Sequence, residues 1–194
     1  RITALCDIVP EKVQMAADMM KKAGHEYEPA RFTNGPRAFE QLCQRDDVDI
    51  VYTATPWDWH VPVCLAARKH AKHPATEAPP PLTTAACWKL VDEAKQTRRH
   101  CLMMENVCYG YNELLVLNMC KAGVFGELTH GGAAYNHDLR AIPFENKDEG
   151  LWHRAPHTRR NGNLYPTHGL GPVGWYMGIN RTDRFETLVF MSTP

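Results

Sequence analysis

The first hundred residues alternate short apolar runs with stretches of helical period, and this alternation restricts the possible folds more than any other feature. Ile2-Thr-Ala-Leu-Cys-Asp7 reads as a strand. Pro10 then starts a helix whose apolar positions Val13, Ala16, Ala17, Met20 and Ala23 recur at helical spacing. Asn34-Gly-Pro-Arg marks a turn, Ala38 to Cys43 a second helix, Asp49 to Thr53 a buried strand and His60 to His70 a third helix. Residues 73–78 read as extended, Thr83 to Thr97 as a helix capped by Thr83, and Cys101 to Glu105 as one more strand. Short apolar strands separated by helices bury both sheet faces. The pattern therefore predicts an α/β fold, a partial Rossmann-type doubly wound parallel sheet over residues 1–108.

After Tyr109 the pattern changes. A helix from Asn112 to Ala122 is closed by Gly123, and Gly126 to Tyr135 carries small residues suited to a closely approached strand. Residues 140–164 read as a charged, Pro-bearing loop, and Phe185 to Met191 as a strand. Residues 109–194 are thus expected to form part of an α+β substrate domain. Because the chain opens within a strand, it reads as a fragment or a trimmed chain. Any glycine-rich phosphate loop of such a fold is expected ahead of Arg1.

Charge narrows the partners. Lys plus Arg and Asp plus Glu each number 22, and no basic stripe alternates with aromatics, which argues against nucleic acid. No apolar run reaches membrane-spanning length, and the first residues do not read as a signal peptide. Seven cysteines lie scattered without a Cys-x-x-Cys pair, so neither a disulfide framework nor a zinc knuckle is expected. His153 and His157 bracket Pro156, which is expected to spoil the helical spacing that a zinc site uses.

Ligands of open α/β sheets bind beyond the carboxyl ends of the strands. Four segments fall there: Asp7; Thr55-Pro-Trp57-Asp58-Trp59-His60; Glu77-Ala78; and Glu105-Asn106. An acid such as Asp7 can accept hydrogen bonds from a ribose diol, or equally cap a helix. Further on, Tyr165-Pro166-Thr167-His168 sets a phenol and an imidazole three residues apart. Thr167 is a candidate cap that would leave His168 in a first helical turn, able to move a proton from a substrate hydroxyl. The same residues also suit an ordinary loop tyrosine and a surface histidine. Gly169-Leu-Gly171-Pro-Val-Gly174 matches a dinucleotide-binding pattern but lacks a preceding strand, so it is read as a decoy.

These segments, with Met104 to Gly110, Tyr135-Asn-His-Asp-Leu-Arg140 and Asn161 to His168, resemble the Gfo/Idh/MocA-type NAD proteins. Within that group the chain is most similar to the glycoside hydrolase family 109 α-N-acetylgalactosaminidases. Sugar dehydrogenases of the group carry Glu-Lys-Pro where this chain has Glu77-Ala78-Pro79, which favours the glycosidases. The resemblance implies NAD held by Asp7, Trp57, Asp58, Trp59, His60, Glu77, Ala78 and Asn106. It implies proton transfer at the sugar's C2 by Tyr135 and at its C3 hydroxyl by His168 beside Tyr165. Substrate contacts would come from Tyr135, His153 (usually Arg in the family), Tyr165, Pro166, Thr167 and His168. The family reaction oxidises C3 transiently, eliminates the C1 substituent, adds water and returns the hydride, with no carboxylate pair required. A carbohydrate substrate, a periplasmic or secreted bacterial location and room for a homo-oligomer follow from the same resemblance. Two alternatives stand beside it: a sugar oxidoreductase that turns NAD over, and an inactive, truncated relative serving only as an association surface. One departure concerns the fold, because Pro74 stands in the strand before Glu77, where a ladder donor is normal.

Overall fold

A computed structural model describes residues 1–147 and 150–192. The chain divides into two compact units, Arg1–Met104 and Glu105–Pro194, against the 1–108 and 109–194 read from the sequence.

The first unit runs β1 (Ala4–Cys6), α1 (Pro10–Lys22), β2 (Ala30–Phe32), α2 (Phe39–Cys43), β3 (Ile50–Thr53), α3 (Trp57–Lys69), β4 (His73–Thr76), α4 (Thr84–Thr97) and β5 (Leu102–Met103). Every ladder is parallel: β1 pairs with β2, and a second sheet has the order β3-β4-β5. Parallel strands need crossover connections, and the helices supply them. The predicted stripe of α1 behaves as its spacing requires, since Val13, Ala17 and Met20 are buried. Thr83 caps α4 by accepting the Ala86 amide at 3.2 Å. One core of Phe39, Leu42, Cys43, Val48, Val51, Val63 and Ala67 underlies both sheets, with Ala4, Cys6 and Phe32 packed against it. Burying each of its larger apolar side chains contributes roughly 1.5–3 kcal/mol.

Pro74 is accommodated by parity. The amides of His73 and Glu77 donate to Asp49 and Thr53 on the β3 side. Successive amides alternate sides, so the missing donor of Pro74 would have faced β5, whose pairing begins only at Ala75. A central strand can therefore carry proline at this one position.

The second unit contains a short 3-10 helix (Asn106–Tyr109), then α5 (Tyr111–Lys121), α6 (Ala141–Phe144), α7 (Gly150–Arg159) and α8 (Pro166–Tyr176). It departs from the sequence reading in four places. Neither Gly126–Tyr135 nor Phe185–Met191 forms a strand: both are irregular and largely exposed, with no neighbouring ladder among the described residues. An extended segment becomes a strand only when another strand satisfies its backbone. The expected loop at 140–164 instead carries α6 and α7, of which Asp148 and Glu149 lie outside the described residues. Arg154 holds the pair together by donating to the Pro143 carbonyl at 2.6 Å and the Glu145 carbonyl at 3.1 Å. Pro156 sits inside α7 without ending it, so His153 and His157 do share a face, with ring centroids 4.7 Å apart.

Gly169, Gly171 and Gly174 all lie within α8, which removes the dinucleotide pattern from any strand-to-helix turn. Their role is close packing. A Cβ on Gly171 would come within 2.8 Å of the Cys108 sulfur and 3.2 Å of Glu105 Cγ. Around this contact Tyr109 meets Trp175 edge-on at 5.5 Å, and the Tyr176 hydroxyl donates to the Glu113 carbonyl at 3.2 Å. None of the described helices is long and apolar enough to cross a membrane.

Candidate functional site

The centre of the second unit is a carboxylate–imidazole pair. Glu105 caps the 3-10 helix, accepting the Val107 amide at 3.2 Å, and the same oxygen meets His168 Nδ1 at 2.5 Å. Both side chains are nearly sealed, at 4% and 10% exposure, yet Glu105 Oε2 has no hydrogen-bond partner among the described residues. A buried carboxylate is costly unless paired, so Glu105 holds the His168 Nδ1 proton firmly. With Nδ1 donating in that bond, a neutral imidazole presents Nε2 as its acceptor. Close approach of α8 through Gly171 brings the two groups together across 63 residues.

Two phenols complete the cluster. Pro166 starts α8 with Tyr165 as its N-cap residue, placing His168 in the first turn as predicted. The capping group differs from expectation, because Thr167 lies inside the helix and its buried hydroxyl has no partner among the described residues. Tyr165 stacks on His168 with centroids 5.2 Å apart and ring planes 9° from parallel, while Tyr135 lies 4.4 Å from His168 and 5.8 Å from Tyr165. A cavity of about 670 Å³ opens beside the two phenols, lined by Tyr135, His137, His157, Asn163, Tyr165 and Pro166 among others, while His168 and Thr167, expected to contact substrate, are not among its lining residues. Its size suits a small organic ligand.

His153 corrects one expectation. It is only 3% exposed and does not line the cavity; its Nε2 lies 2.8 Å from the Tyr165 hydroxyl. An imidazole is shorter than the arginine expected there, so it supports the phenol from behind instead of reaching a ligand. Glu105 was visible in the sequence only as a strand-end acid, and its contact with His168 is what the structure adds. Nothing in its local sequence points 63 residues ahead to His168.

Most of the residues expected to hold a cofactor lie in the first unit. Asp7 follows β1 and spends one oxygen on the Val9 amide at 2.9 Å; no other hydrogen bond reaches its side chain among the described residues. Glu77 follows β4, is half-buried, and accepts a hydrogen bond from the Tyr52 hydroxyl, which holds that phenol up at about 12. Both carboxylates thus stand at carboxyl strand ends with acceptor capacity left, as nucleotide ribose hydroxyls require. Trp59 is half-buried against Phe39, with centroids 5.9 Å apart, while Asp58 is exposed and Ala78 half-buried. Trp57 and His60 depart from expectation. They are 4% and 1% exposed, and His60 spans the Thr55 carbonyl at 2.7 Å and the Pro79 carbonyl at 2.8 Å. Both its nitrogens lie within hydrogen-bond distance of backbone carbonyls, so it ties two strand-end loops together. Asn106 belongs to the second unit, exposed on the 3-10 helix. In the first unit, Asp7 and Glu77 thus keep acceptor oxygens at strand ends, whereas Trp57 and His60 are almost fully buried.

The glycosyl hydrolase 109 C-terminal domain matches residues 109–194. A glycosyl hydrolase family 109 protein of Solibacter usitatus is 56% identical over 194 residues, all of this chain and 44% of that protein. An oxidoreductase domain protein from Kribbella flavida superposes with a TM-score of 0.71 at 21% identity, over 91% of this chain and 45% of that one. Scyllo-inositol dehydrogenase from Lactobacillus casei, solved with NAD(H) and scyllo-inositol, gives a TM-score of 0.67 at 16% identity, over 92% and 48%. At such identities the solved structures speak for the fold alone, a Rossmann-type domain followed by part of a substrate domain. The chain spans less than half the length of the curated relatives it matches. With more than half its residues identical to such a relative along its entire length, the chain belongs to glycosyl hydrolase family 109.

Proposed function

We propose that this protein is an NAD-dependent glycosidase that removes terminal α-N-acetylgalactosamine. The carrying observation is the Glu105–His168 pair with Tyr165 stacked on its imidazole and Tyr135 tilted against it, beside a sugar-sized cavity. His168 Nε2, left as acceptor by the Nδ1 bond to Glu105, takes the proton of the sugar's C3 hydroxyl. The Glu105 carboxylate stabilises the imidazolium that results, and it returns the proton when the hydroxyl is restored. Tyr165, held from behind by His153, keeps the imidazole plane fixed through its stacking contact. Tyr135 presents its phenol to the neighbouring carbon and moves the C2 proton as the glycosidic bond opens. The chemistry a bound NAD would supply is the reversible loss of hydride from C3, which makes that C2 proton acidic. Asp7 and Glu77 would hold its ribose hydroxyls. A periplasmic or secreted location goes with the same reading.

The test is nitrophenol release from the aryl α-N-acetylgalactosaminide, read together with NADH absorbance. Nitrophenol without net NADH supports the glycosidase; NADH accumulating with added sugar supports an oxidoreductase in its place. His168→Ala should lower turnover by about 10²–10⁴-fold, the usual contribution of a positioned acid–base group. An unchanged rate overturns the assigned role.

A further inference from the structure

Two polar side chains on the cavity wall take no part in the proposed proton transfers: His157, near the end of α7, and Asn163, in the loop before α8. Each is tied to the backbone through one atom, and that tie decides what its other polar atom can offer. His157 Nδ1 lies 2.8 Å from the His153 carbonyl. A carbonyl only accepts, so Nδ1 carries the proton and a neutral imidazole offers Nε2 as an acceptor. The Tyr165 amide donates to Asn163 Oδ1 at 2.9 Å. A backbone N–H only donates, so the side-chain oxygen belongs there and Nδ2 is left as a donor. No further hydrogen bond reaches His157 Nε2 or Asn163 Nδ2 among the described residues.

One acceptor and one donor on the wall of a single cavity are complementary to a secondary amide, whose N–H seeks the first and whose carbonyl seeks the second. A single hydroxyl occupies one of them at a time. The lining also includes Ala133, Ala134, Leu164 and Leu170, apolar side chains that suit the alkyl end of an acyl group. Tyr135 lines this cavity and His168 does not. With Tyr135 at C2 of the sugar and His168 at C3, the open space therefore faces the C2 substituent.

We propose, resting on that reading of the site as a sugar pocket, that His157 and Asn163 select sugars carrying an acylamino group at C2. Nε2 of His157 accepts the hydrogen bond of the substituent's N–H, and Nδ2 of Asn163 donates to its carbonyl oxygen. A plain 2-hydroxyl leaves one of the two polar groups without a ligand partner, and the discrimination comes from that difference. Neither residue touches the reacting atoms, so both act on choice of substrate and not on the proton transfers.

Calorimetric titration of the whole protein, in the presence of NAD, with N-acetylgalactosamine and with galactose tests this apart from turnover. The N-acetyl sugar should bind about 100-fold more tightly, about 10-fold for each of two hydrogen bonds. His157→Phe, which removes the acceptor and keeps a ring, should cut the preference about 10-fold and move galactose affinity less than about 2-fold. Asn163→Asp, which keeps an oxygen for the Tyr165 amide and removes the donor, should cut it at least as far. Equal affinity of the unaltered protein for the two sugars overturns the proposal, as does a preference that survives both substitutions. An equal fall for both sugars in both variants overturns it too, by showing that the two residues shape the cavity without selecting its occupant. Nitrophenol release decides the other question: an intact preference without cleavage supports the selecting pair and counts against the glycosidase, whereas cleavage without preference does the reverse.

Discussion

The two units handle apolar residues in opposite ways. In the first, Leu42, Val51, Val63 and Ala67 close a shared core under two parallel sheets, and the helices that connect the strands also cover them. In the second, buried side chains concentrate where the 3-10 helix, α5 and α8 meet, at Cys108, Leu117 and Pro172. Residues 185–191 meanwhile leave Leu188 91% and Met191 89% exposed. A βα repeat completes its own burial within some thirty residues of chain. A strand of an α+β sheet depends on partners far away in sequence. Stability accordingly collects in the first unit, whereas the proposed chemistry collects in the second, around a few tight contacts.

Three substitutions would break or sharpen that contrast. The largest effect belongs to Leu42→Ala, which empties the core of the first unit and should cost about 2–5 kcal/mol in urea unfolding. A cost below about 1 kcal/mol would mean the core is not the stabilising centre that its burial implies. Next comes Gly171→Ala, whose new Cβ meets Cys108 Sγ at 2.8 Å and Glu105 Cγ at 3.2 Å. Overpacking of this kind costs about 1–3 kcal/mol. Because the clash falls on Glu105, turnover of the aryl glycoside should drop along with the melting temperature. A loss of stability with full activity would separate α8 packing from the Glu105–His168 pair. The smallest effect should be Leu188→Ala, within about 0.5 kcal/mol by the same unfolding assay, as for exposed side chains generally. A penalty as large as that of Leu42→Ala would show residues 185–191 paired in a ladder.

How far the sequence could be read differs between the units for the same reason. Helix α1 was legible from Val13, Ala17 and Met20, because one stripe and one sheet suffice to bury it. The Thr83 cap and the Gly123 stop, with φ of +71°, were legible because each acts on its own helix end. At the candidate site, Tyr135, Tyr165 and His168 were visible as residue types at a suggestive spacing. Their convergence was not, nor was the turning of His153 away from the cavity. The helix through Pro156 was misread because proline was weighed without the Arg154 contacts that secure α6 to α7.

What the chain determined alone is everything that a local period or a single backbone constraint can carry: the βα alternation, the helix ends and the proline-led first turn that exposes His168 to Tyr165. Tertiary structure decided the rest. Only the glycine-lined approach of α8 set Glu105 against His168, and only the folding of the strand-end loops set the Thr55 and Pro79 carbonyls on the two nitrogens of His60. Hydrogen bonds between residues dozens of positions apart depend on how helices stack, and no local pattern of side chains encodes that distance.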